Sequence, residues 1–208
     1  MASVSALFWD IGGVILSNGW DEHARAEAVR RFALDPADYE QRHRRAEVEL
    51  ETGAITLETY LGQTIFFRPR PFAREEFRQF MFAQSTEKRD TRALLDDLTA
   101  SRRYFMAALN NESLELNPYR IRQFDLKRNF AVFLTSCYLR LRKPDPAFYE
   151  TALGIAQRAP EECVFIDDRP KNLEPAKALG MQAILFESAE QLRASLDHSG
   201  VRRALVGG

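Results

Sequence analysis

Asp10, Lys143 and the tandem pair Asp167-Asp168 are the side chains of this sequence best suited to chemistry. Asp10 follows the apolar run Ala6-Leu7-Phe8-Trp9, and Gly12-Gly13 ends that run at once, as a buried strand followed by a turn would. Asp167-Asp168 closes a second run, Cys163-Val164-Phe165-Ile166. Two further runs, Tyr104 to Leu109 and Phe130 to Thr135, end on Asn110-Asn111 and on Thr135-Ser136, with Lys143 nearby. Each residue also has a plainer use. An Asp at a strand end caps turns, Asn favours them, and a Lys before Pro144 can be a solvated loop charge. In an open parallel sheet, however, the carboxyl ends of the strands share one edge, where ligands bind. Three carboxylates and an ammonium gathered there can hold Mg²⁺ and a phosphate. Mg²⁺ takes a few carboxylates plus waters and substrate oxygens, and lysine supplies a compact positive charge.

The elements needed to position these groups are readable from local signals. From about Asn18 to Lys88 the pattern is helical and rich in charge, without a convincing strand. Asp21 caps a first helix, and Asp35-Pro36 is an N-cap followed by Pro at the first helical position. Thr56 starts a third helix, and 73–83 reads as a fourth, carrying Phe77, Phe80 and Met81. From Asp90 onward strands and helices alternate. Asp145-Pro146 repeats the start signal, where Asp145 is expected as a cap, and Gly180 suits a left-handed helix end. The alternation predicts an α/β fold: a Rossmann-like parallel sheet with helices on both faces, plus an inserted helical-bundle cap. The expected division is a core of 1–17 and 89–208 and a cap of 18–88.

Composition narrows the function classes. The 208 residues are 45% apolar and 28% charged with a net charge of -1, ordinary for a soluble domain with a substantial core. No strongly basic face is indicated, so a nucleic-acid partner is not expected. Neither a secretory signal nor a bilayer-length apolar stretch is present in the sequence, and Cys137 and Cys163 lie in apolar runs as two buried thiols rather than a disulfide. The expectation is a cytoplasmic protein without a membrane or obligate protein partner.

Phe8-Trp9-Asp10-Ile11-Gly12-Gly13-Val14, Lys143-Pro144-Asp145-Pro146 and Phe165-Ile166-Asp167-Asp168-Arg169-Pro170-Lys171-Asn172 resemble three ordered motifs of the haloacid dehalogenase-like hydrolase superfamily. The turn after Leu109 stands at the second motif's place. The likeness covers essentially the whole chain, and is greatest to bacterial small-molecule phosphatases of the glucose-1-phosphate phosphatase type. It implies a phosphoric monoester hydrolase acting on a small phosphorylated metabolite through an aspartyl-phosphate. Asp10 would be the nucleophile, and Lys143 would neutralise it and bind the phosphoryl oxygens. Asn110 and Asn111 would contact substrate, and Asn172 would orient the acidic loop. Asp10, the Gly12 carbonyl, Asp167 and Asp168 would hold Mg²⁺.

The sequence departs from that pattern in three places. The second Asp of the first motif, which protonates the leaving group, is here Gly12; such a group is worth about 10²–10⁴-fold. The second-motif Ser or Thr is Asn110, and Arg140 stands where relatives often have Gly. Glu112 is a weaker candidate for the missing acid. Three functions remain open: a phosphatase for good leaving groups, a phosphate-binding or regulatory module with little turnover, and a metal-independent 2-haloacid dehalogenase, whose halide needs no proton. On the cap, His43, Arg44 and Arg45 are expected mainly as a solvated face, with some able to reach the pocket, and the Phe-rich stretches as cap core.

Overall fold

The computed structural model describes residues 3–201, so the ends of the expected core range, 1–2 and 202–208, lie outside the described residues. Five strands, β1 (Ala6–Trp9), β2 (Phe105–Asn110), β3 (Val132–Thr135), β4 (Cys163–Asp167) and β5 (Gln182–Leu185), form one sheet in the order β3-β2-β1-β4-β5. Every pairing is parallel. β1 is central and all four of its residues are buried, so its side chains serve both faces. Leu7 and Trp9 pack with Leu94, Leu95 and Leu98 of α5 (Arg89–Ser101) and with Leu192 and Leu196 of α10 (Ala189–His198). Ala6 and Phe8 face the other way, onto α8 (Pro146–Ala156) and α9 (Pro170–Ala178).

Between β1 and α5 lie four helices, α1 (Glu22–Arg31), α2 (Pro36–Glu51), α3 (Leu57–Thr64) and α4 (Arg74–Ala83). Three begin on the capping residues read from the sequence: Asp21 accepts from Ala24 N–H, Asp35 from Asp38 N–H and Thr56 from Thr59 N–H. Such caps contribute about 1 kcal/mol each. The four helices bury an apolar cluster of their own around Phe32, Tyr39, Tyr60, Leu61 and Phe77. The chain leaves and rejoins the sheet side by side: Ser17 N–H donates to Thr86 O (2.8 Å) and Lys88 N–H to Ile15 O (2.9 Å).

After β2 come α6 (Leu116–Gln123) and a 3-10 turn at Leu126–Arg128. Asp145 caps α8, as expected, with Ala147 N–H donating to its carboxylate at 3.0 Å. The stretch after β3 holds a single helical turn, α7 (Ser136–Leu139), which, like the 3-10 turn, has no counterpart among the expected elements. It ends on Arg140 in the left-handed region, φ 61, a conformation that glycine adopts without the steric cost an L side chain meets.

Candidate active site

The chain runs from β1 outward to β2 and β3, then returns to the other side of β1 as β4. The switch point therefore falls between β1 and β4, and this is where an open α/β sheet forms its ligand crevice. Asp10 and Asp167 stand at the carboxyl ends of these two strands. Asp10 N–H still donates to Ile166 O (2.8 Å), so the ladder itself sets the spacing of the two carboxylates.

Lys143, only 2% exposed, lies between them. Its Nζ is 3.1 Å from Asp10 Oδ1 and 2.5 Å from Asp167 Oδ2. Asn111 holds the lysine's backbone from both sides: its Nδ2 donates to Lys143 O (3.0 Å), and its Oδ1 accepts from Lys143 N–H (2.9 Å). Asp167 is fully buried, and both of its oxygens are taken. Asn172 Nδ2 donates to both, Arg169 N–H to Oδ1, and Lys143 to Oδ2. Asp168 differs. Its Oδ2 accepts from Asn18 Nδ2 (3.2 Å), while its Oδ1 is buried without a hydrogen-bond partner among the described residues. A carboxylate oxygen from each of Asp10, Asp167 and Asp168 lies within 4.8 Å of the others.

Two of the three carboxylates thus share one ammonium, and the third has none among the described residues. Burial pushes the Asp10 carboxyl up to about 7, against the pull of Lys143, with Asp167 and Asp168 adding their repulsion. Burial also works against the Lys143 charge, but Asp10 and Asp167 more than offset it and hold that ammonium above its usual range. A site with an orphaned carboxylate oxygen and an excess of negative charge suits a divalent cation, and oxygen donors of this kind suit Mg²⁺. Gly13 makes the approach feasible. Its φ is +76, and a Cβ there would overlap the Asp168 carboxylate.

A family profile described as haloacid dehalogenase-like hydrolase matches residues 4–180. The chain belongs to the haloacid dehalogenase-like hydrolases. Among relatives, the chloroplast flavin mononucleotide hydrolase 1 of Arabidopsis thaliana is 32% identical over 164 residues, covering 78% of this chain and 65% of that protein. The bifunctional epoxide hydrolase 2 of Rattus norvegicus is 37% identical over 70 residues, 33% of this chain and 13% of that protein. This hydrolase therefore spans less than two thirds of the curated relatives it matches. The fold is shared with a haloacid dehalogenase family enzyme of Bacteroides thetaiotaomicron solved with magnesium and inorganic phosphate (TM-score 0.72, 18% identity, 89% of this chain and 95% of that one). It is shared also with the L-2-haloacid dehalogenase of Xanthobacter autotrophicus (TM-score 0.63, 15% identity, 96% and 84%).

In this hydrolase, a cavity of about 270 Å³ lies against Asp10, Gly12, Lys143, Asn111 and Asn172. Asn110 is not among its lining residues. It is still paired in the sheet with Thr135, and its amide is used there: Oδ1 accepts from Thr135 Oγ1 (3.0 Å) and Nδ2 reaches Asn117 Oδ1 (3.5 Å). Of the two candidate substrate contacts, the structure brings only Asn111 to the cavity, and there it holds Lys143. Arg140 instead donates to Thr52 O.

The segment between β1 and α5 supplies the other wall: Trp20 ahead of α1, Arg25 on α1, and His43, Glu47 and Glu51 on α2. His43 is buried rather than solvated, 2.9 Å from Tyr60 Oη through Nδ1. Burial, helped by Arg25, lowers its pKa to about 4, with Glu47 and Glu40 opposing, so it is neutral near pH 7. Burial pushes Glu51 up to about 7 despite Arg142 Nε at 3.1 Å. Glu112 also lines the cavity, its Oε2 paired with Arg120 Nη1 at 3.1 Å, and burial raises its pKa while Arg120 opposes. The sequence reading missed Asn18, Arg120 and Glu51. Asn18 marks only the start of the insertion, while Arg120 and Glu51 are charges in amphipathic helices, with no local signal of a site.

Proposed function

We propose that this chain is a Mg²⁺-dependent phosphatase of small phosphorylated metabolites that works through an aspartyl-phosphate on Asp10. The observation that carries this is the buried Lys143 ammonium bridging Asp10 and Asp167 beside the unpartnered Asp168 oxygen. Under this reading residues 1–17 and 89–208 form the catalytic core and 18–88 a cap over it. Two buried, unpaired thiols suit a cytoplasmic setting, and no helix among the described residues is long and apolar enough to cross a membrane.

Asp10 Oδ1 is occupied by Ile11 N–H (2.8 Å) and Lys143, which leaves Oδ2 to attack phosphorus. Lys143 lowers the repulsion between that carboxylate and the incoming phosphoryl oxygens. The bond from phosphorus to the leaving oxygen breaks and its electron pair departs with that oxygen. Water then attacks the phosphorus of the aspartyl-phosphate, releasing phosphate and restoring Asp10. Mg²⁺, held by Asp10, Asp168 and the Gly12 carbonyl, would supply the charge that one lysine cannot. Asp167, with its oxygens already committed, positions Lys143, and Asn172 orients Asp167.

The cavity is at the small end of ligand sites, which run roughly 300–1,000 Å³. Its carboxylate-rich cap wall suits a hydroxyl-bearing leaving group such as a sugar better than a large apolar one. The relatedness to a flavin mononucleotide hydrolase makes FMN the comparison substrate. Gly12 favours a second reading, a phosphate-binding module with little turnover.

The test is phosphate release from a panel of sugar phosphates, FMN and aryl phosphates with Mg²⁺ or EDTA, beside Asp10→Asn. Mg²⁺-dependent release abolished in the variant is expected. Binding of Mg²⁺ and beryllofluoride without turnover would establish the module. Halide release from 2-chloropropionate that survives EDTA would establish a dehalogenase.

A further inference from the structure

Gly12 leaves a gap where the leaving group would otherwise meet an acid, and the structure shows what borders that gap. Arg120, on α6, is 2% exposed yet lines the cavity. A Cβ built on Gly12 would lie 3.6 Å from its Nη1 and 3.3 Å from Asn18 Oδ1. On the other side Gly19, with φ +76, comes so close that a Cβ would overlap Nη2. Two glycines, one at each end of the turn that leaves β1, thus make room for one guanidinium.

The guanidinium is held but not saturated. Nε donates to Ser85 Oγ (3.0 Å), Nη2 to Ser17 O (2.9 Å), and Nη1 pairs with Glu112 Oε2 (3.1 Å). Glu112 is itself fixed, its Oε1 accepting from Ser113 N–H (2.8 Å) and its own N–H donating to Ser136 Oγ (2.9 Å). A guanidinium carries five N–H groups, so one on each terminal nitrogen remains for a ligand. A buried cation with spare donors on a cavity wall is costly to keep for packing alone.

We infer that Arg120 is the leaving-group residue of this hydrolase: its guanidinium hydrogen-bonds the departing oxygen at the place left open by Gly12. The inference rests on the phosphatase reading above. As the bond from phosphorus to the leaving oxygen breaks, the electron pair goes to that oxygen, which leaves as an oxyanion stabilised by two charge-assisted N–H donors. A guanidinium keeps its charge and transfers no proton; the oxyanion takes one from water after release. Substrates whose leaving groups are stable as oxyanions, such as anomeric sugar phosphates and acyl phosphates, are the class this device serves. Glu112 positions the guanidinium and is not the acid.

The test compares kcat/KM on 4-nitrophenyl phosphate and phenyl phosphate for wild type, Arg120→Gln, Arg120→Lys and Ser85→Ala, with urea unfolding to verify that each variant is folded. Arg120→Gln is expected to lose at least about tenfold more on phenyl phosphate than on 4-nitrophenyl phosphate, since the poorer leaving group needs the donors more. Arg120→Lys should recover part of that difference, and Ser85→Ala, which removes the bond that holds Nε, should shift the ratio of the two substrates in the same direction as Arg120→Gln but by less. Equal losses on both substrates in an active, folded enzyme would show that Arg120 only ties Ser17 to Ser85, and would overturn the inference alone. A wild type that releases phosphate from no ester would overturn the phosphatase reading and this assignment with it.

Discussion

His43 makes stability pH-dependent in a way the structure quantifies. The imidazole is buried on α2, bonded to Tyr60 Oη at 2.9 Å, and titrates at about 4 instead of the ordinary 6.5. The unfolded chain therefore takes up a proton at this residue at a pH where the folded chain refuses it. Stability is complete above the unfolded pKa and is lost as pH falls from about 6.5 towards 4. Between about pH 7.5 and about pH 5 those two values give a loss of about 2 kcal/mol. Glu51, raised by burial to about 7, acts in the opposite direction, because the folded state holds its proton while the unfolded state has released it. A comparison of wild type with His43→Gln cancels Glu51 and every other shared group. Urea unfolding at the two pH values is the assay: the wild-type midpoint should fall by about 1 M more than that of the variant. Equal shifts would refute the reasoning, for they would mean that His43 protonates in the folded state as readily as in water.

The carboxylate cluster sets four further outcomes. Lys143→Met leaves Asp10 and Asp167 buried without their cation and should destabilise by about 3–5 kcal/mol in urea unfolding, with part recovered in the Asp10→Asn, Lys143→Met double variant. Asp168→Asn should weaken Mg²⁺ binding by about tenfold or more in calorimetric titration with a small change in stability. Asp167→Asn should instead cost mainly stability, since it breaks up the bonds to Lys143 and Asn172; the reverse pattern would exchange the two roles. Gly13→Ala forces a side chain at φ +76 onto Asp168 and should cost about 2 kcal/mol and reduce Mg²⁺ affinity, whereas unchanged values for both would show that the turn relaxes freely.

What could be read from the sequence was what depends on neighbours in the chain. Asp35-Pro36 and Asp145-Pro146 start α2 and α8 because the cap and the proline act within one turn, whatever the rest of the molecule does. The strand ends were legible for the same reason: apolar runs stop at Gly12-Gly13 and at Asp167-Asp168, and a parallel sheet brings such ends to one edge. α7 was not legible, because its helical turn is held by a distant group, Ser136 Oγ donating to Glu51 O (2.6 Å) across 85 residues of sequence. Asn110 is of a type that suits a phosphate contact. Only the pairing with Thr135 reveals that its amide is already used.

The site's least legible feature is the one its sequence raises most directly. A glycine at position 12 announces that an acid is missing, since that information is local. What occupies the neighbourhood instead is set by Arg120 bonding to Ser17, 103 residues away, and to Ser85, 35 residues away. Neither serine nor the arginine carries a pattern that marks it. Gly19 looks like ordinary turn chemistry until the guanidinium is seen against it. Gly12 and the guanidinium beside it are therefore neighbours in space but two unrelated facts in sequence. That is why the sequence alone keeps a module with little turnover as an alternative to the phosphatase, whereas the inferred role of Arg120 calls for turnover of substrates that depart as stable oxyanions.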